Sequence, residues 1–173
     1  LDGTTNFLHG IPHFAVSVAL ERAGEIVAGV TYNPITNELF TAEKGGGAFF
    51  NDRRLRVSGR RKAEDAVVGT GIPHKGRGDH PAFMRQLQRT MNTVAGVRRM
   101  GAASLDLAWV AAGRFDAFWE THLSPWDVAA GVLMVREAGG FVSCLEGTTD
   151  PVTSGHLLAS NEPLHYGLLA LLK

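Results

Sequence analysis

Over the first third of the chain, apolar positions come in short runs broken by turn residues. Phe14 to Leu20 and Ile26 to Tyr32 read as strands joined by a turn at Ala23-Gly24-Glu25, and the turn-initiating pair Asn33-Pro34 closes the second. Glu38 to Thr41 and Ala48 to Phe50 follow, on either side of Lys44-Gly45-Gly46-Gly47. These spacings predict an antiparallel meander. The glycine run could be mistaken for a phosphate cradle. It lies between two short strands with no helix after it, so it reads as a hairpin turn.

From residue 66 the pattern alternates between strand and helix. Ala66–Thr70, Val94–Val97, Phe115–Trp119, Phe141–Ser143 and His156–Ala159 read as strands. Helices are expected over Asp79–Thr93, Ser104–Ala112, Ser124–Ala138 and Glu162–Leu172. In the first of these, Asp79 sits at the cap and Pro81 in the first turn, with Phe83, Leu87 and Met91 spaced along one face. Gly113 and Gly139-Gly140 stop the second and third. Alternation of this kind implies an α/β fold whose second sheet is mostly parallel, with helices on its faces. We place residues 1–62 in the antiparallel part of an N-terminal subdomain and residues 63–173 in a C-terminal α/β subdomain. The Arg- and Lys-rich stretch at 58–65 would be a surface connection between them.

Composition narrows the functional classes. Of 173 residues, 45% are apolar, enough for a substantial core, and no apolar run has the length of a membrane span. Lys plus Arg equals Asp plus Glu at 17 each, so no global charge draws the chain to nucleic acid or to an anionic membrane. Cys144 is the single cysteine; no intrachain disulfide is possible, which points to a reducing, cytoplasmic setting.

Candidate chemistry concentrates in two segments. Leu1-Asp2-Gly3-Thr4-Thr5-Asn6-Phe7 offers a carboxylate, a glycine turn and two hydroxyls, while Trp126-Asp127-Val128-Ala129-Ala130-Gly131 puts a carboxylate near a helix start. Two such carboxylates beside free backbone N–H groups would make a site for a divalent cation and phosphate. Each also has a plainer explanation. Asp2-Gly3 alone is a common turn, and Ser124-Pro125-Trp126-Asp127 has the spacing of a capping box. Small Ala129, Ala130 and Gly131 would let that helix approach its neighbours closely. Glu120, at a strand end, either accepts hydrogen bonds from polyol hydroxyls or is a solvated charge. Gly101-Ala102-Ala103 would expose N–H donors at a helix start. Arg98 and Arg99 either close over a phosphate or lie on a solvated loop. The seven histidines lack zinc-ligand spacing, with His9 and His13 read as structural. Cys144 reads as a small buried residue, and Ser58, Ser104 and Ser143 show no nucleophile-elbow context.

Together the strings at residues 1–7 and 126–131 resemble the inositol monophosphatase family of Mg²⁺-dependent, lithium-sensitive phosphatases, in its bacterial branch. The resemblance runs from residue 1 to about residue 165. It implies a layered α/β/α/β/α sandwich and a homodimer acting on a small phosphorylated polyol, inositol 1-phosphate foremost. It assigns the metal to Asp2, Asp127 and the Leu1 carbonyl. Substrate would meet Leu1, Asp2, Gly3, Thr4, Gly101, Ala102, Ala103, Glu120 and Asp127, with Asp2, Thr4 and Asp127 in catalysis and the Thr4 hydroxyl orienting the attacking water. Family members often carry Thr or Ser where Ala102 stands, so at that position only backbone contacts carry over. Related sugar, nucleotide and histidinol phosphatases share the metal motifs, and some bacterial members act in transcription complexes, so a regulatory role is the rival from another class.

In that family an Asp-Pro pair and a further Glu ligand precede the Leu-Asp-Gly-Thr segment. The resemblance therefore implies that this chain corresponds to the C-terminal two-thirds of a longer phosphatase. A polypeptide starting at Leu1 would be expected to hold no ordered metal cluster, to show negligible activity and to expose apolar sheet surface.

Overall fold

The computed structural model describes residues 1–76, 78–146 and 150–173. Helix α1 (Thr4–Leu8) opens the chain. An antiparallel sheet in the order β1-β2-β3-β4-β5 follows: β1 (Val16–Arg22), β2 (Glu25–Asn33), β3 (Glu38–Glu43), β4 (Gly47–Phe50) and β5 (Arg53–Arg54). The meander is as the sequence indicates, and Lys44-Gly45-Gly46 forms the β3–β4 turn. Two features were not legible beforehand. Residues 4–8 coil into α1, and β1 starts at Val16 because Ala15 is bridged to Asp2 by two backbone hydrogen bonds of 2.8 and 3.0 Å.

After a single 3-10 turn at Ala63–Asp65, the chain alternates β6 (Val67–Thr70), α2 (His80–Met91), β7 (Gly96–Arg98), α3 (Ala103–Ala111), β8 (Ala117–Glu120) and α4 (Pro125–Glu137). It then runs through β9 (Phe141–Cys144), α5 (Pro151–Ser154), β10 (Leu157–Ser160) and α6 (Glu162–Leu172). The second sheet has the order β7-β6-β8-β10-β9. β6 is parallel to β7 and β8, while β10 is antiparallel to both β8 and β9. Four strands thus share one direction, and β10 is inserted against them.

The layers follow from which faces are apolar. Helices α3 and α4 lie between the sheets, in a core that joins Phe40, Ala42 and Ala48 to Leu107, Val132, Phe118 and Leu157. On the far side of the second sheet, α2 and α6 bury Phe83, Leu164 and Leu168 against Val68, Trp119 and Leu158. The small residues of α4 do what their size suggests. A Cβ on Gly131 would fall 2.5 Å from the Leu107 Cβ, and one on Gly29 would fall 2.8 Å from the Ala130 Cα, so α4 packs closely on both α3 and β2. Met91 departs from the expected face of α2 and is 56% exposed, whereas Thr90 is buried. Residues eight apart drift about 80° around a helix, while those seven apart realign to within about 20°. Val16, Val18, Leu20 and Val30 leave the face of the first sheet opposite α4 partly apolar and exposed.

Candidate active site

The carboxyl ends of β6 and β8, the start of α1 and the starts of α3 and α4 surround one cavity of about 290 Å³. Leu1, Asp2, Gly3 and Thr4 line it from one side and Glu120 and Asp127 from the other, with Gly101 and Ala103 between them. Ala102 does not line it: it is the N-cap of α3 and is 1% exposed. Arg99 lines the cavity, while Arg98 is exposed and its Nη1 donates to the Val97 carbonyl.

Asp2 is held from three directions. Its backbone is bridged to Ala15, and its Oδ1 accepts from Gly3 N–H at 2.8 Å. Its Oδ2 accepts from the Ser104 N–H at 2.8 Å and from the Ser104 hydroxyl at 2.7 Å. Ser104 is the second residue of α3, whose N-cap Ala102 has no side-chain oxygen to offer. Asp2 therefore satisfies a helix-start donor that an N-cap side chain normally serves. Gly3, at φ 80°, takes the left-handed turn that sends the chain into α1. Its Asn6 is buried and donates to the carbonyls of His13 and Met100, tying α1 to the approach to α3.

Asp127 sits at the third position of α4 and closes a capping box with Ser124, whose N–H donates to Oδ2 at 2.9 Å. The box read from the sequence is present, and so is the placement of Asp127 at the cavity. These are compatible because a carboxylate has more acceptor sites than one cap uses. Glu120 ends β8, at the carboxyl edge of the sheet where open α/β sheets receive ligands.

Sequence reasoning missed Asp106, a carboxyl inside the largely apolar α3. It is 1% exposed, and its Oδ1 has no hydrogen-bond partner among the described residues. Burial pushes its pKa well up, the nearby Glu120 and Asp2 charges add to the effect, and Arg99 opposes it. The signal was an acid in an apolar run, Leu105-Asp106-Leu107-Ala108, which marks a buried polar group. Ser104 was missed as well, since its partner lies 102 residues away. So were the loop Gly71–His74, which forms a cavity wall, and the ring pair His122–His156, 4.5 Å apart. His13 is structural as expected: buried, edge-on to Trp109 at 5.3 Å, with its pKa lowered by burial against the pull of Asp2 and Glu38. Cys144 is buried, with Sγ 3.1 Å from the Ser154 hydroxyl.

Asp2, Glu120 and Asp127 bring carboxylates to one small cavity. Arg99 offsets one of these charges, and a bound cation would offset more of the repulsion a phosphate ester meets there. The three carboxylates supply hard oxygen donors that suit a divalent cation, and His74 and His122 also stand in the lining. Among the described residues no three His, Cys, Asp or Glu side chains form a metal-binding group on their own.

Comparison with known proteins decides the family. The profile of the Inositol monophosphatase family matches residues 1–173. The chain belongs to this family. It is 62% identical over 173 residues to an inositol-1-monophosphatase of Mesorhizobium japonicum, covering all of this chain and 65% of that protein. It is 49% identical to the Nus factor SuhB of Pseudomonas aeruginosa, again covering all of this chain and 65% of that protein. Among solved structures, the extragenic suppressor protein suhB from Bartonella henselae superposes with a TM-score of 0.96 at 59% identity, over 99% of this chain and 67% of that one. The chain spans 65% of the length of each of these two curated relatives. The layered α/β architecture is shared with solved inositol monophosphatase structures. No helix among the described residues is long and apolar enough to cross a membrane.

Proposed function

We propose that the protein carrying this chain is a Mg²⁺-dependent phosphomonoesterase that hydrolyses inositol 1-phosphate to inositol and phosphate. One observation carries the reading: Asp2, Glu120 and Asp127, drawn from three separate segments of an inositol monophosphatase fold, line one cavity. The Asp2 and Asp127 carboxylates and the Leu1 carbonyl would hold Mg²⁺. Bound there, the ion would neutralise the phosphate and activate water.

The chain's own groups supply the rest. Gly3 N–H is engaged by Asp2, so phosphate oxygens fall to the Thr4 end of the segment. The Thr4 hydroxyl orients the attacking water for in-line displacement, with no covalent intermediate. Asp127 also accepts from the hydroxyl beside the phosphate, and Glu120 accepts from hydroxyls further round the polyol ring. Backbone N–H groups at Gly101 and Ala103 offer further donors. A homodimer, lithium sensitivity and a cytoplasmic location complete the reading.

The test is phosphate release by the intact protein from a panel containing inositol 1-phosphate, a fructose bisphosphate, a nucleoside bisphosphate and histidinol phosphate. We expect inositol 1-phosphate to be the best substrate, with activity abolished by chelation and reduced by lithium. Activity with zinc but not magnesium, or none on the panel, would rule the reading out. The relative named Nus factor SuhB favours a second role, binding to a transcription complex, which can coexist with turnover.

A further inference from the structure

Gly71 directly follows β6, and Glu120 is the last residue of β8. These strands are parallel, with Thr70 opposite Trp119, so Gly71 and Glu120 occupy the next rung at the sheet's carboxyl edge. Ordinary neighbours on a sheet keep their side chains side by side, roughly 5 Å apart. Here they do not. A Cβ on Gly71 would fall 1.9 Å from the Glu120 carboxyl carbon and 2.0 and 2.3 Å from its two oxygens. The Glu120 carboxylate occupies the space that a side chain at position 71 would take. Gly71 is not among the residues with positive φ, so its backbone does not call for glycine. Gly101, at φ 92°, is the contrasting case. What requires glycine at position 71 is the carboxylate.

We infer that Gly71 is a positioning residue: its missing side chain lets the Glu120 carboxylate fold over the end of β6 into the cavity, and so sets the preference for phosphate esters of polyols. The inference rests on the phosphatase reading and adds a specificity determinant to it. With alanine at 71, the obstructed group is the far end of a flexible side chain, so the carboxylate moves while the backbone stays. Restoring ordinary contact from 1.9 Å requires a shift of roughly 1.5 Å. Misplacing a binding group by about 1 Å is enough to cost up to ~100-fold. A hydrogen bond to a charged acceptor, once lost, leaves a substrate hydroxyl unpaired in the site.

The experiment compares kcat/KM for inositol 1-phosphate with that for phenyl phosphate, whose leaving group has no further hydroxyl, in the intact protein. Gly71→Ala should lower the ratio of the two by about tenfold or more, through a rise in KM for inositol 1-phosphate larger than its fall in kcat. Glu120→Gln should lower the ratio in the same direction without touching position 71. Gly71→Ala combined with Glu120→Asp, whose carboxylate is one methylene shorter, should recover several-fold of the lost ratio. An unchanged ratio in Gly71→Ala, or losses that simply multiply in the double variant, would overturn the inference while leaving the phosphatase reading intact. A wild-type protein that cleaves neither ester would overturn both.

Discussion

Helices α3 and α4 both begin at the cavity, and their first turns are satisfied in different ways. α4 carries its cap within itself: Ser124 and Asp127 close a box across four consecutive residues. α3 starts from Ala102, which has no polar side chain, and its Ser104 N–H is taken by Asp2 from the chain's opening segment. The site carboxylate on α4 is thus set by local sequence. The one facing α3 is set by tertiary structure, and it fixes the relative placement of α1, β1 and α3 through the same few hydrogen bonds. Removing the two carboxylates should therefore have similar effects on chemistry and different effects on the fold.

The largest expected effect is on turnover. Asp2→Asn and Asp127→Asn each keep an oxygen acceptor at the helix start but lose the charge that attracts a divalent cation. Each should lower kcat for inositol 1-phosphate by about 100-fold or more, with under ~2 kcal/mol lost in stability. Steady-state kinetics with parallel denaturant melts would check this, and equal loss of fold and activity would mean that capping is the main role.

Stability should then separate the two starts. Asp127→Ala removes one of the two hydrogen bonds of the capping box and leaves the Ser124 cap in place, and should cost roughly 0.5–1.5 kcal/mol. Asp2→Ala leaves both the N–H and the buried hydroxyl of Ser104 without their acceptor, and should cost roughly 1–3 kcal/mol. A double-mutant cycle of Asp2→Ala with Ser104→Ala should show a coupling of about 0.5 kcal/mol or more. Additive losses would remove the cap across segments from the account.

A smaller effect should come from Ala102→Ser. Ala102 has the extended backbone of an N-cap, so serine there can supply a local acceptor. In the Asp2→Ala background it should restore up to about 1 kcal/mol, and in the wild type almost nothing. Equal gains in both backgrounds would show that Asp2 does not serve as the cap.

The smallest effect lies away from both starts. His165 is buried between Ser143 and Ser160, which hydrogen-bond its two ring nitrogens at 2.9 and 2.8 Å, and burial lowers its pKa. The unfolded chain therefore binds a proton more readily than the folded one. Stability from this group is complete above the ordinary histidine value of about 6.5 and is lost as pH falls through the depressed folded value. His165→Gln should flatten the stability profile on that side of neutrality, as chemical melts from pH 5 to 8 would show; an unaltered slope would count against it.

This contrast also explains what the sequence could reveal. The meander, the alternating second half, the α4 capping box and the close packing of Ala130 and Gly131 all rest on contacts between near neighbours or on residue size. They were legible as pattern. Glu120 was legible because a strand end followed by a helix marks an α/β binding edge. Ser104 and Gly71 were not, because each owes its role to a residue far away in the chain, whereas Asp106 carried a local mark, an acid in an apolar run, that went unread. Nothing within a few positions of Gly71 shows that a carboxylate 49 residues later needs its missing side chain. The inserted antiparallel β10 escaped for a related reason: strand direction depends on where the chain re-enters the sheet, which hydrophobic pattern does not encode.

Metal dependence separates a phosphatase site between these helix starts from a merely acidic cleft. The decisive measurement is phosphate release from inositol 1-phosphate in the intact protein after chelation and again across a Mg²⁺ titration, for wild type and Asp127→Asn. Release should be negligible after chelation and recover saturably in the wild type, with turnover at saturating Mg²⁺ lower in the variant by about 100-fold or more. Release that persists after chelation, or an Asp127→Asn variant that recovers like the wild type, would contradict a metal-dependent site.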